Sequence, residues 1–342
     1  MQSNYKSIDV FSGLGGLSEG MRQAGFEVKA AIEIDTDAVA AYKMNHSSAV
    51  VFNQDIRDVK GHDMKKYLGD KKLHLLAGCP PCQGFSSVRK LNKKRSVRDD
   101  RNKLILEYLR FVKELLPLTV MMENVPGLMD YYLFKILMDE LGSLGYNPKV
   151  EIVKIQDYGV PQRRKRLVLV GSLLGDLNVA PGNEQKTTVK DAIGHLDHID
   201  CTADPLHKIT AHHSERIRNL IALIPKNGGS RNDLPEDYIL ACHRKNGVGF
   251  KDIYGRLRWN DVANTITGGC LNPSKGRFLH PEENRVITAR EAALLQSFPQ
   301  TYQFPDNVTK ASLASLIGNA LPPKFSFIQC KNIKDHLDKY LG

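Results

Sequence analysis

Ser7-Ile8-Asp9-Val10-Phe11-Ser12-Gly13-Leu14-Gly15-Gly16 carries an apolar strand straight into a glycine-rich turn. Residues 7–11 read as a strand, and residues 13–16 as a turn feeding a helix over about 16–25. Glycine lets such a turn reverse tightly and lets a ligand approach the backbone. Working outward, strand and helix signals alternate. A strand at 27–34 is followed by a helix at 36–45, a buried-type strand at 73–77 and a helix at 102–116. A strand at 118–122, a helix at about 130–145 and a strand at 166–170 complete the set. The alternation predicts an α/β fold with a mostly parallel sheet covered on both faces, with ligands at the carboxyl ends of the strands. After about residue 173 the pattern lapses, and residues 197–284 predict a small irregular domain. Thr288-Ala289-Arg290-Glu291 is a capping-box signature opening a helix to about Phe298, and residues 322–340 predict a last helix starting at Pro322 and Pro323. The expected division is therefore 1–196 with 285–342 as one domain and 197–284 as the other.

The chain has 342 residues, enough for a sizeable core, with 42% hydrophobic and 25% charged residues, as in soluble globular proteins. The first residues lack a signal-peptide pattern and no apolar run reaches bilayer-spanning length, so a cytoplasmic protein with no membrane partner is expected. Six cysteines do not make a disulfide framework, and no Cys or His pairs stand at zinc-site spacing, so no metal is expected. The net charge of +10 favours a polyanionic partner. Its placement says more: residues 89–103 hold eight Lys or Arg against Asp99 and Asp100.

Glu33 lies twenty residues beyond Gly13, after the second strand, where a carboxylate can accept hydrogen bonds from ribose hydroxyls. A dinucleotide fingerprint would need glycine at position 18, and Ser18 stands there. The departure suits a nucleoside without a pyrophosphate, such as S-adenosylmethionine. Asp55 follows a third possible strand and reads either as an adenine contact or as a cap. Cys82, in Gly78-Cys79-Pro80-Pro81-Cys82-Gln83-Gly84-Phe85-Ser86, follows the strand at 73–77, and the prolines stiffen its approach. A nucleophilic cysteine needs such a held position; a buried structural cysteine and a Cys79–Cys82 redox pair are the rival readings. Glu123, in Glu123-Asn124-Val125, ends the next strand at the same edge and is a candidate acid or hydrogen-bond partner. In Gln162-Arg163-Arg164-Lys165-Arg166, alternate side chains Gln162, Arg164 and Arg166 are expected to point one way.

These segments, in order and over nearly the whole chain, resemble the cytosine-C5 DNA methyltransferase family of the bacterial modification type. The likeness extends to Arg290-Glu291-Ala292-Ala293 with Gln296 and to Gly318-Asn319-Ala320. It implies a Rossmann-like methyltransferase fold with a small irregular target-recognition domain at 197–284. It also implies transfer of a methyl group from S-adenosyl-L-methionine to carbon 5 of a cytosine flipped out of double-stranded DNA through a covalent Cys82 adduct. Cys82, Glu123 and Arg164 are then catalytic, with Arg164 holding the flipped base. Phe11, Ser12, Gly13, Leu14, Gly15, Gly16, Glu33, Ile34, Asp55, Ile56, Pro81, Asn319 and Ala320 are expected around the cofactor. Ile34 stands where many members carry an aromatic residue, so adenine would rest on aliphatic contact. Gln83, Ser86, Arg89 and Lys93 would meet DNA from a loop that closes over it, joined by Gln162, Arg166, Arg231, Thr265 and Thr267.

The recognition region carries twelve Lys or Arg against eleven Asp or Glu, so its DNA contacts must come from placement. Its Asn227-Gly228-Gly229-Ser230-Arg231-Asn232 stretch reads as a polar loop in which Arg231 can read guanine, or as plain surface. A monomer is expected, with a restriction endonuclease acting on the same site without a stable complex. The alternatives are the same chemistry on tRNA and a catalytically silent DNA-binding relative.

Overall fold

The structure is a computed structural model that describes residues 5–69, 72–81, 100–239 and 252–342. The chain forms two compact units. The first comprises Met1–Tyr158, Lys165–Asn183 and Leu321–Gly342; the second comprises Gly159–Arg164 and Glu184–Ala320. The second is larger than the 197–284 expected, because residues 184–196, 285–320 and the short 159–164 segment join it.

The first unit is built on a seven-stranded sheet: β1 Tyr5–Val10, β2 Phe26–Ile32, β3 Val50–Phe52, β4 Leu75–Gly78, β5 Thr119–Asn124, β6 Lys149–Lys154 and β7 Lys165–Ser172, in the order β3-β2-β1-β4-β5-β7-β6. Strands β1 to β5 pair in parallel, and β7 runs antiparallel to both β5 and β6. The sheet is thus mostly parallel, as expected. Strand β6 had no clear signal: its Lys-Val-Glu-Ile-Val-Lys is an edge strand in which only Val153 is buried. The helix Leu104–Leu115 buries Ile105, Tyr108, Leu109, Phe111, Val112 and Leu115, the spacing of a single apolar stripe, and ends on Leu116 with φ 45°. With Tyr132–Ser143 it packs on one face of the sheet against Ile8, Val10, Leu76, Val120 and Met122. Removing a fully buried ring such as Phe111 would cost about 3–5 kcal/mol. Helix Gly16–Gln23 lies against the C-terminal helix Pro323–Leu341 so closely that a Cβ on Gly20 would stand 2.3 Å from Ser326 Cβ.

Among the described residues, the second unit has short helices at Val189–Ile193, Pro205–Lys208, Glu215–Leu223, Ala289–Leu295 and Lys310–Asn319, and isolated bridges rather than a sheet. Backbone carbonyls that no sheet satisfies still need donors. Arg256, fully buried, supplies them: it donates to the carbonyls of Ile221, Ile224, His280 and Glu283 and to Asn284 Oδ1. Arg277 does the same for Gly228, Gly229 and Arg256. The expected capping box is present: Thr288 Oγ1 accepts from Glu291 N at 3.1 Å, and Thr288 N donates to Glu291 Oε2 at 2.7 Å.

Candidate active site

The carboxyl edge of the first unit's sheet gathers the turn after β1, the loop after β4 and the end of β5. In the turn, Phe11, Gly13 and Gly15 all have positive φ (63°, 53° and 98°), which explains two of the glycines. Gly15 N donates to Ser12 O at 2.9 Å, and Gly15 caps helix Gly16–Gln23 without a side-chain cap. Among the described residues nothing lies within 4 Å of where a Gly13 Cβ would be, so they leave open space above the turn. Glu33 accepts from Gly13 N at 2.7 Å and from Asp35 N at 2.9 Å, one bond to each oxygen. Burial raises its pKa, and those two backbone donors partly offset the rise. Ile34 beside it is 63% exposed, an apolar side chain left uncovered next to a polar one. Leu14 and Ser12 are buried.

Asp55 is a cap as well as a site candidate. Its Oδ1 accepts from Arg57 N at 3.0 Å and Arg57 Nη2 pairs with its Oδ2 at 2.5 Å, and the Arg57 hydrogen bond pulls its pKa down. Ile56 puts its side chain into the core, so it can offer only backbone to a ligand at the edge.

Gly78 stands opposite both Val10 and Met122 in the sheet register, so the next residue along, Cys79, comes beside Glu123. Burial pushes the Cys79 thiol well above its ordinary pKa, and the neighbouring Glu123 and Asp9 add to the rise. Asn124 ties this loop to β5: its Nδ2 donates to Pro80 O at 2.9 Å, and its Oδ1 accepts from Val125 N at 2.8 Å. Glu123 is 7% exposed and forms an ion pair with Arg166, Nε to Oε1 2.5 Å. The described loop runs through Pro81, which is half-buried. Cys82, Gln83, Ser86, Arg89 and Lys93 lie outside the described residues.

The run at 162–166 is divided between the two units. Arg166 belongs to the first unit and pairs with Glu123. Gln162 and Arg164 belong to the second. Gln162 is fully buried: its Nε2 donates to Gln296 Oε1 and to Leu295 O, and its Oε1 accepts from Ile266 N at 3.2 Å. It is a brace, not a surface contact. Arg164 is 6% exposed and its Nη1 donates to Gly318 O at 3.0 Å, so in this structure it holds a turn rather than presenting an open guanidinium. Gln296 joins the same network through the Ile317 carbonyl at 2.6 Å. A Cβ on Gly318 would stand 2.1 Å from Thr267 C, which requires glycine there. Asn319 is exposed, with Nδ2 donating to Ser315 Oγ at 3.2 Å, and Ala320 is half-buried. Arg231 lies on a short turn capped by Ser230, Thr265 Oγ1 donates to Arg163 O, and Thr267 Oγ1 accepts from Gly269 N.

Among the described residues, His280, Glu283 and Glu291 could offer ligand atoms to a metal. Arg285 already fills that role: it pairs with Glu283 at 2.7 Å and with Glu291 at 2.8 Å. No described helix is long and apolar enough to cross a membrane.

Two residues escaped the reading of the sequence. Asn124 carried no signal apart from its neighbour. Asp9 did: a carboxylate inside an otherwise apolar strand needs a reason to be there.

Fold and edge together define a doubly wound α/β enzyme. The family model for C-5 cytosine-specific DNA methylases matches residues 5–335. A Type II methylase, M.HgiDII, of Herpetosiphon aurantiacus is 35% identical, covering 97% of this chain and 95% of its own. A Type II methyltransferase, M1.HphI, of Haemophilus parahaemolyticus is 32% identical, covering 92% of this chain and 83% of its own. Among solved structures, a candidate DNA modification methyltransferase encoded within an E. coli prophage superposes with a TM-score of 0.76 at 26% identity, covering 98% of this chain and all of that one. The chain belongs to the C-5 cytosine-specific DNA methylase family and is a DNA (cytosine-5) methyltransferase.

Proposed function

We propose that this chain is the modification enzyme of a Type II restriction–modification pair. It would methylate one cytosine in a short duplex DNA sequence, with S-adenosyl-L-methionine as methyl donor and Cys82 as nucleophile. The observation that carries the reading is Glu123, buried at the end of β5, paired with Arg166 and set beside the loop that leads to Cys82.

The residues of the turn fit a nucleoside cofactor. Open space over Gly13, the uncovered Ile34 and the Glu33 carboxylate suit a ribose and a flat base, and the buried Asp9 Oδ1 has no hydrogen-bond partner among the described residues. Phe11, Leu14 and Asp55 would complete the pocket. When bound, S-adenosyl-L-methionine supplies an electrophilic methyl group. The Cys82 thiolate adds to carbon 6 of a cytosine taken out of the stack, because that atom cannot be reached within a duplex. Glu123 holds ring nitrogen 3 and the exocyclic amine, stabilising the charge that the addition develops and making carbon 5 nucleophilic. Arg166 fixes the Glu123 carboxylate, and Asn124 fixes the loop that carries the thiol. Loss of the carbon 5 proton and expulsion of Cys82 restore the ring.

In the second unit, the stretch 197–284 would read the target, with Arg231 toward a base edge and Thr265 and Thr267 toward the backbone. Arg164 and Gln162 support that reading as braces of the 265–268 and 318–320 segments. A monomeric protein in a bacterial cytoplasm, acting beside a restriction endonuclease without binding it, fits the role.

Duplex DNA with 5-fluorocytosine at the target tests the chemistry, because fluorine at carbon 5 cannot leave as a proton does. A denaturation-resistant protein–DNA adduct is expected, located at Cys82 by mass spectrometry and absent from Cys82→Ser. Equal trapping by Cys82→Ser would remove Cys82 from the mechanism.

A further inference from the structure

A carboxyl beneath the glycine turn takes part in none of the steps above. Asp9 is the last residue but one of β1 and is wholly buried. Ser18 Oγ donates to its Oδ2 at 2.7 Å and stands 2.7 Å from the Tyr42 hydroxyl oxygen. Its other oxygen, Oδ1, is buried with no hydrogen-bond partner among the described residues. The titratable and polar groups that face Asp9 come from every element packed on it. They are Ser18 on the first helix, Tyr42 on the second, Glu33 beyond β2, Cys79 beyond β4 and Cys330 on the C-terminal helix. None of them is a cation.

A carboxylate so placed is costly to ionise, and a buried polar atom without a partner in a native fold calls for an explanation. Burial pushes Asp9 up to about 7 against the Ser18 hydrogen bond, and the negative charge of Glu33 adds to the rise. By contrast, the buried carboxylate of Glu291 is given an arginine. Among the described residues no cation is set against ionised Asp9, which lies two residues before Phe11 of the turn proposed for the cofactor.

We propose that Asp9 is the specificity-determining residue that separates the cationic sulfonium cofactor from its neutral thioether product. Resting on the cofactor reading above, it holds that Asp9 stays ionised while the sulfonium is bound. Once the sulfur has kept the electron pair of the broken carbon–sulfur bond and become neutral, Asp9 takes one proton from solvent. Binding of the cation therefore releases a proton where free Asp9 is protonated, and binding of the thioether does not. One charge on the ligand becomes a difference in affinity that favours fresh cofactor above neutral pH and weakens as the pH falls.

Calorimetric titration of the full chain, in buffers of different ionisation heat, reads that proton directly. Near pH 7, S-adenosylmethionine should release about half a proton, rising toward one near pH 6, and S-adenosylhomocysteine almost none. From about pH 8 to about pH 6 the affinity ratio of the two should fall roughly 10-fold, the limit for one linked proton being tenfold per pH unit. Asp9→Asn, its fold checked by circular dichroism, should lose both the release and the pH dependence. Glu33→Gln should weaken both ligands alike and keep the release. Ser18→Ala, which removes the hydrogen bond favouring the ionised form, should move the fall to higher pH. Equal proton release with both ligands, or release lost in Glu33→Gln and kept in Asp9→Asn, would overturn charge sensing by Asp9. An unmoved midpoint in Ser18→Ala would do the same. Failure of both ligands to bind would overturn the cofactor reading as well, which separates the two failures.

Discussion

Asp9 in the first unit and Glu291 in the second are both sealed from water, at 0% and 1% exposure, and the fold treats them in opposite ways. Glu291 receives Arg285 on both oxygens, at 2.8 Å each, and its backbone neighbour Thr288 N at 2.7 Å. Burial alone would raise its pKa, but the Arg285 hydrogen bonds and charge hold it below the ordinary carboxylate range. Among the described residues, Asp9 receives hydrogen bonds from Ser18 and no cation. The difference separates two uses of buried charge. A loop-rich unit spends paired charges and buried arginines on holding its backbone together. The sheet unit has its backbone satisfied by strands, and leaves a carboxylate unmatched at the edge where a ligand is to come.

The pH dependence of stability should have opposite signs at the two sites. Asp9, raised to about 7, binds its proton more tightly folded than unfolded, so it lowers stability progressively as pH rises from the ordinary carboxylate range through about 7. Glu291, held low, stabilises above that range and loses its contribution only in stronger acid. The comparison can be broken at either end. Arg285→Met leaves the buried Glu291 and the half-buried Glu283 without this cation and should cost roughly 3–5 kcal/mol in urea unfolding at neutral pH. A loss under 1 kcal/mol would mean the pair is not holding the second unit. Asp9→Asn should do the reverse, stabilising the ligand-free protein at about pH 8 by roughly 2–4 kcal/mol, with the gain vanishing by about pH 4. A variant less stable than the parent at pH 8 would show that the carboxylate is matched after all. Thr288→Ala removes the cap beside Glu291 and should cost about 1 kcal/mol, read as a small fall in melting temperature. Cys79→Ser, which keeps a small donor next to Glu123, should change the methylation rate by less than about 3-fold, since a neutral thiol there is not the nucleophile. A loss as deep as that of Cys82→Ser would revive the redox-pair reading.

Much of this was legible in the residues. Short apolar runs, their alternation with helix signals and the glycine turn located β1, β2, β4, β5 and the helices between them, because those strands are buried on both faces of the sheet. Thr288 and Glu291 announced their capping box by spacing alone. Strand β6 escaped because an edge strand that buries only Val153 has no apolar pattern to show. The run at 162–166 crosses a strand boundary that its residue types do not mark. Period-two reasoning assumes one strand, but β7 starts at Lys165, so Gln162 and Arg164 lie outside it and are buried by the second unit. The structural work of Arg256 and Arg277 was illegible too. Their partners are backbone carbonyls, which every residue has, so no side-chain motif marks them.

A base-resolution methylation map of DNA from cells expressing the chain tests the central claim most directly. The account predicts 5-methylcytosine at one position of a single short sequence, at every copy of it, and none with Cys82→Ala. Genomic DNA without new 5-methylcytosine, while the same cells carry it on tRNA, would contradict the account.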